Sequence, residues 1–248
     1  MATLSLEQYQ RMVNGNTITL EKLNNKLKTQ QEKLESETDP QKQQHLKNLM
    51  RTTETSIDFY ERRKKALRPP TQEDIDYRMK VYNNFSNAVK SIIPKDCPIC
   101  FHGTRYFNIE NIIKSGGLSS SVDRTGHATS YDAEDQVSVT VVNTIETTIQ
   151  GYTGLTDFEV PSGCVFLVLP KDEAEYKSSR TSMLIGNVDF RKEPERLAGI
   201  ITSPENVEQI REWCKSTDIN YNLNNICDFN EFLQRVKNKY KATEPESE

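Results

Sequence analysis

The 248-residue sequence has little of several features that would narrow its function at once. It holds three histidines and one tryptophan, and it has no run of eighteen apolar residues that could cross a bilayer as a helix. Its first residues, Met1 to Met12, lack the charged start and apolar core of a secretory signal peptide. Five scattered cysteines, an odd number, argue against a disulfide framework and for a reducing compartment. These absences disfavour a membrane-spanning protein and a disulfide-rich extracellular one.

Charge and glycine are distributed unevenly along the chain. The net charge of −4 gives no overall signal for nucleic-acid or membrane binding. Residues 1–95, however, carry 17 Lys and Arg against 12 Asp and Glu, whereas the remaining residues carry 15 against 24. Only Gly15 of the ten glycines precedes residue 96. This shift in composition predicts a domain boundary near residues 93–95, with a helical domain at 1–95 and a second domain at 96–240.

The first 95 residues have the apolar spacing of amphipathic helices. Apolar residues recur at intervals of three, four or seven in three runs, separated at Asp39–Pro40 and at Pro69–Pro70. The runs are Leu20, Leu23, Leu27 and Leu34; then Leu46, Met50, Ile57, Tyr60 and Leu67; then Ile75, Met79, Tyr82, Val89 and Ile93. The sequence therefore predicts three antiparallel helices, coiled-coil-like, of which the first two form a hairpin. Such a unit either supports the other domain or binds a partner.

The second half has short apolar runs that are typical of strands. Residues 98–101, 163–169 and 197–202 predict buried strands, and 136–140 alternates like a half-buried one. A helix is expected to begin near Ser203–Pro204. Strands mixed with short helices favour an α+β fold. The acidic tail, 241–248, is expected to be disordered.

A metal site is not expected. Cys97 and Cys100 form a CxxC pair, but neither a second such pair nor paired histidines supply the other zinc ligands. We therefore predict no metal cofactor.

The most informative stretch is 101–118. A strand ends in His102-Gly103-Thr104, and a short helix carrying three isoleucines follows and ends at Gly116–Gly117. A histidine at the end of a strand is, taken alone, more often a structural hydrogen-bonding group than a catalytic one. The residues around it change that expectation.

The pattern HGTRxxNxxxIIxxGGL resembles the first NAD-binding motif of the ADP-ribosyltransferase superfamily. It is similar to the poly-ADP-ribose polymerase branch and to the rifampin ADP-ribosyltransferases, which also open with His-Gly-Thr. The resemblance implies a split β-sheet with short helices and a cleft that binds NAD as substrate. It implies that His102 bonds a ribose hydroxyl, that the Gly103 backbone holds the nicotinamide carboxamide, and that Thr104 contacts a ribose.

The resemblance also implies a second motif, a strand whose Tyr or Ser shapes the nicotinamide pocket. Ser138, with Thr140, fits this role and is similar to the Ser-Thr-Ser element of the toxin branch. Tyr131, just upstream, is the alternative. A third motif, the Glu-x-Glu of the toxin branch, resembles Glu193-Pro194-Glu195. By that likeness Glu195 would stabilise the oxocarbenium-like ribose and Glu193 would orient the acceptor.

These observations together predict a mono-ADP-ribosyltransferase that modifies a protein acceptor, with residues 1–95 helping to choose that protein. The Glu- and Ser-rich tail resembles secretion signals of bacterial effectors, so an effector or toxin acting in a host cytosol is the expected context. Binding of nucleic acid is not expected. The alternative is a non-catalytic interaction protein whose helices bind a partner and whose second domain is a degenerate transferase-like scaffold.

Overall fold

The computed structural model describes residues 6–94, 97–119, 136–142, 145, 162–171, 177–178 and 183–241. Six helices are named here: α1 (Leu6–Ser36), α2 (Pro40–Ala66), α3 (Gln72–Ile92), α4 (Tyr106–Ser115), α5 (Val207–Lys215) and α6 (Phe229–Lys241). The strands are β1 (Cys100–Thr104), β2 (Gly117–Leu118), β3 (Gln136–Val139), β4 (Cys164–Val168), β5 (Lys177–Ser178), β6 (Met183–Gly186), β7 (Val188–Asp189), β8 (Leu197–Thr202) and β9 (Ile226–Asp228). The predicted α+β class is confirmed.

Helices α1 and α2 form the predicted hairpin. The chain reverses over three residues, and Asp39 begins α2 as its N-cap, accepting a hydrogen bond from the Gln41 amide at 2.8 Å. Pro40 occupies the first helical turn, where the missing N–H costs nothing. The leucines of the predicted seam are only half-buried, whereas Asn16, Gln30 and Thr53 are buried. The apolar residues therefore have the spacing of a helix, but the most buried side chains of the hairpin are polar.

Helix α3 begins at a fully formed capping box. The Thr71 hydroxyl accepts from the Asp74 amide, and the Asp74 carboxylate accepts from the Thr71 amide at 2.7 Å. The Arg68 guanidinium also donates to both Asp74 oxygens, at 2.7 and 2.8 Å. These bonds hold the pKa of the Asp74 carboxyl well below its ordinary value of 3.8, with the Arg68 bond the largest cause.

We expect the Asp74 interactions to stabilise the protein at neutral pH and to weaken in acid. Asp74→Asn should lower the free energy of unfolding by about 1–2 kcal/mol at pH 7, because it removes a charged partner of Arg68 and of the cap. A depressed pKa stabilises the folded state above the unfolded-state value, so the difference should shrink as pH falls below about 4. Urea unfolding of the wild type and of Asp74→Asn, at pH 7 and at pH 3, measures this difference in the free energy of unfolding. A difference independent of pH would contradict the assignment.

Four strands form the central sheet, in the order β1-β4-β8-β9. Strands β1, β4 and β8 are antiparallel neighbours, and β9 runs parallel to β8. The register places His102, Phe166, Ile200 and Ile226 in one row across the sheet. All five residues of β4 are buried, as the continuous apolar run predicted.

Helices cover both faces of this sheet. Residues of α4 and α5, including Ile109, Ile113 and Ile210, pack with Phe166 and Ile200 on one face. On the other face, residues of α3 and α6 pack with Phe101, Val165 and Ile201. Side chains of successive strand residues point to opposite faces, which is why both layers find apolar partners along the same short strands.

The packing of α3 differs from the predicted three-helix unit. Phe85 and Val89 are 1% and 0% exposed, and they lie in the core that the sheet shares with α6. The Phe85 ring meets the Phe229 ring edge-on, with centroids 4.9 Å apart. Among the described residues, α1 and α2 therefore pair with each other, whereas α3 packs with the sheet and with α6.

A second sheet, of order β3-β6-β5, meets the first at one point in the described chain. Phe101 and Thr140 form an antiparallel bridge there, with N–H to carbonyl distances of 2.8 and 2.9 Å. A short pairing of β2 with β7 completes the described strands. The two sheets thus separate on either side of a single bridge.

In the part of the chain that is described, no helix is both long and apolar enough to span a membrane. The predicted disordered tail lies outside the described residues, apart from Lys241 at the end of α6.

Candidate functional site

Strand β1 and helix α4 present the His-Gly-Thr segment. The strand ends at Thr104, and α4 starts after a single extended residue, Arg105. The helix ends as predicted at Gly116, which adopts the left-handed conformation with φ of 78°. A Cβ at Gly116 would meet only the movable end atoms of the Arg191 and Ile219 side chains, so the positive φ is the reason that glycine is favoured there.

The structure brings His102 and Ser138 together from separate strands. The Nδ1 atom of His102 lies 2.9 Å from the backbone oxygen of Ser138. This contact forms beside the Phe101–Thr140 bridge, where no further ladder pair joins the described residues of β1 and β3. The imidazole therefore joins β1 to β3 beside that bridge.

This hydrogen bond sets the tautomer of the ring. A carbonyl oxygen can only accept, so Nδ1 must carry the hydrogen, and Nε2 is the accepting nitrogen of a neutral imidazole. An acceptor at Nε2 suits a hydroxyl donor such as a ribose group. His102 is half-buried and so retains an exposed part.

The other residues predicted to bind NAD differ in how far they are buried. Gly103 is buried, and Thr104 and Thr140 are 6% and 8% exposed. The Thr140 hydroxyl lies 3.5 Å from the Phe101 carbonyl, a long contact with β1. Ser138 is half-buried. Tyr131, the alternative to Ser138, lies outside the described residues.

Glu193 takes part in a charged cluster at the start of β8. One of its oxygens lies 2.7 Å from the Lys171 ammonium, and the other accepts from Arg196 Nη1 at 3.2 Å. Arg196 is only 4% exposed, and its Nε donates to the Leu169 carbonyl at 2.9 Å. The Lys171 bond, followed by the Arg196 bond, holds the pKa of Glu193 below its ordinary value. Glu193 thus neutralises a buried cation where β4 ends and β8 begins.

The register separates both glutamates from His102. Ile200 lies in the His102 row two strands away, and Glu195 precedes Ile200 by a 3₁₀ turn and three strand residues. That stretch covers roughly 14 Å along the strand, toward the end of the sheet that holds Cys100 rather than Thr104. Glu195 is exposed there. The structure therefore joins the first and second predicted motifs but leaves Glu193 and Glu195 apart from them.

Helix α4 is held at both ends by residues that sequence reasoning missed. At its last turn, Arg191 Nη2 donates to the Lys114 carbonyl at 3.2 Å and the Tyr221 hydroxyl donates to the Ile113 carbonyl at 2.8 Å. At its first turn, Arg62 of α2 donates to the Phe107 carbonyl at 2.8 Å. No local sequence signal marks these contacts, because each joins segments far apart in the chain.

No protein-family model matches this chain, and neither a curated protein nor a solved structure matches it. The likeness described above therefore rests on the residues of the short motifs and on the order in which they occur.

Proposed function

We propose that the sheet domain binds NAD where β1 and β3 separate and transfers ADP-ribose to a protein acceptor. The contact of His102 with the Ser138 carbonyl carries the proposal, because it joins two of the three motifs beside the bridge between the two sheets. In the neutral ring this contact makes Nε2 the accepting nitrogen, which is the chemistry that a ribose hydroxyl requires. NAD is the substrate, and no metal is involved in the proposed reaction.

Transfer requires departure of nicotinamide, which leaves an oxocarbenium-like ribose that a carboxylate can stabilise. Glu193 and Glu195 are poorly placed for this task beside His102. The carboxylate is then to be found by mutagenesis of the other acidic residues of 96–240, beginning with Asp189. Incubation of the full chain with labelled NAD and a host-cell lysate tests the activity. Replacing these residues one at a time by the matching amide then locates the carboxylate.

The two glutamates of the third motif give a sharper prediction. If Glu195 stabilised the ribose, Glu195→Gln would lower turnover about 100- to 1000-fold. Because Glu195 is exposed and distant from His102, we expect Glu195→Gln to change the rate of nicotinamide release less than about twofold. Glu193→Gln should lower the melting temperature, because Arg196 loses its charged partner while remaining buried. Nicotinamide release and thermal unfolding, measured on both variants, separate the roles. A collapse of release in Glu195→Gln would restore that residue to the active site.

A second candidate function is a non-catalytic interaction protein with a degenerate transferase-like scaffold. The observation that favours it is the use of Glu193 in ion pairs with Lys171 and Arg196, away from His102. Binding of NAD distinguishes the two candidate functions. Saturation-transfer NMR with NAD should show binding by a transferase and none by a scaffold.

The proposed cellular context follows from the proposed activity. A mono-transferase with a helical appendage and an acidic tail would suit a bacterial effector or toxin delivered into a host cytosol. Residues 1–95 would then contribute to recognition of the acceptor. Labelling in lysates of the full chain and of a chain with a disrupted hairpin tests that contribution.

A further inference from the structure

The α1–α2 hairpin contacts the sheet domain at the first turn of α4. The Phe59 ring meets the Phe107 ring edge-on, with centroids 4.9 Å apart. Beside it, Arg62 Nη1 donates to the Phe107 carbonyl at 2.8 Å and lies 3.1 Å from the Asn108 side-chain oxygen. One apolar and two polar contacts thus join the hairpin to Phe107 and Asn108, in the first turn of the helix that follows the His-Gly-Thr segment.

The Arg62 side chain is held in this orientation from its own helix. Its Nε donates to an Asp58 oxygen at 2.9 Å, and its Nη2 lies 2.7 Å from the same oxygen. Because the guanidinium is planar, fixing one edge on Asp58 directs the other edge toward α4. The Arg62 side chain is 28% exposed, so these charged hydrogen bonds are partly shielded from water.

The position of this contact in the chain gives it a consequence for the proposed site. Phe107 follows Thr104 by three residues, and the N-cap of α4 is Arg105, which is not among the residue types that cap a helix with a side-chain oxygen. A guanidinium only donates, so Arg62 does not cap the free amides of α4; it holds the first turn through the Phe107 carbonyl and the Asn108 side chain. The last turn of α4 is held separately by Arg191 and Tyr221.

We propose that Arg62 is a positioning residue through which the hairpin sets the affinity of the site for NAD. It fixes the first turn of α4, and that turn fixes the end of β1 on which His102 lies. A partner that tilts the hairpin would alter NAD binding by the same route, and NAD would alter partner binding equally. This inference rests on the proposed NAD site.

The experiment compares Arg62→Met, Arg62→Lys and a control, Arg51→Met, at an exposed arginine of the same helix. Calorimetry with NAD measures the dissociation constant at a temperature where every variant is folded. Hydrogen exchange measures opening of the amides of residues 102–110. We expect Arg62→Met to raise the dissociation constant about fivefold and to speed exchange in that segment. Arg62→Lys should recover part of the loss because it keeps one charged donor, and Arg51→Met should match the wild type.

An unchanged dissociation constant and unchanged exchange in Arg62→Met would overturn the proposal. A lowered melting temperature alone would mean that Arg62 is merely structural, and would also overturn it. If Arg62→Met does not fold, Asp58→Asn is the second variant, because it removes only the carboxylate that orients Arg62. It should raise the dissociation constant for NAD about twofold, at the low end of coupling free energies between sites. If the wild-type protein binds no NAD, the proposed function fails, and the exchange measurement still decides whether Arg62 positions α4.

Discussion

Replacing Phe85 with alanine is expected to lower the free energy of unfolding of the sheet domain by about 3–5 kcal/mol. Phe85 is 1% exposed and packs against the rings of Phe229 and Phe232, at 4.9 and 5.9 Å between centroids. Truncation would leave a cavity between α3, α6 and the sheet that the surrounding side chains fill only in part. The fluorescence of Trp213, the one tryptophan, reports the transition because it packs against the core on the other face of this sheet.

The matched control is Ile18→Ala, an apolar truncation on α1 at a side chain that is 52% exposed. It should change the Trp213 transition by less than about 0.5 kcal/mol. Deletion of residues 1–70 should preserve a cooperative transition, whereas deletion of residues 1–95 should abolish it, because only the second removes α3. Equal stability of the Phe85 and Ile18 variants would show that α3 does not belong to the core of the sheet.

Replacing His102 with alanine is expected to weaken NAD binding about tenfold while the protein remains folded. One hydrogen bond to a ligand is worth about 1–2 kcal/mol, and its loss accounts for that factor. The variant also loses the bond to the Ser138 carbonyl, so a fall in stability of about 1 kcal/mol should accompany the weaker binding. Calorimetry with NAD and thermal unfolding measure the two effects separately.

His45→Ala is the control for this experiment, because His45 is exposed on α2. It should leave both the affinity for NAD and the stability unchanged. If His102→Ala binds NAD as tightly as the wild type, His102 lies outside the binding site. If the variant loses its cooperative transition, the imidazole serves the junction of the two sheets and the proposed ribose contact is withdrawn.

Much of the fold could be predicted because it is encoded locally. The apolar run at 163–169 identified β4, since a strand buried on both faces needs an apolar residue at every position. Gly116–Gly117 identified the end of α4, since a left-handed cap favours glycine. The prolines at position 40 and at positions 69 and 70 marked the breaks after which α2 and α3 begin.

What could not be predicted depends on contacts between distant segments. The spacing of Phe85, Val89 and Ile93 defines an apolar face of α3 but does not say whether that face meets α2 or α6. The Glu-x-Glu pattern at Glu193 precedes a strand, but only the register shows at which end of the sheet it lies. Arg62 reads in the sequence as one of several basic residues at the end of a helix, where cations are favourable in any case.

The partnership of α3 with α6 has a consequence for synthesis of the protein on the ribosome. Helix α3 is made early and α6 is the last described helix, so the part of this face that α6 covers stays open until residues 229–241 have emerged. Throughout that interval Phe85 and Val89 would be exposed on a nascent helix whose permanent partner does not yet exist. Pairings of high sequence separation form slowly and leave apolar surface open to aggregation in the meantime. The α1–α2 hairpin, by contrast, needs only neighbouring residues and can form as soon as it leaves the exit tunnel.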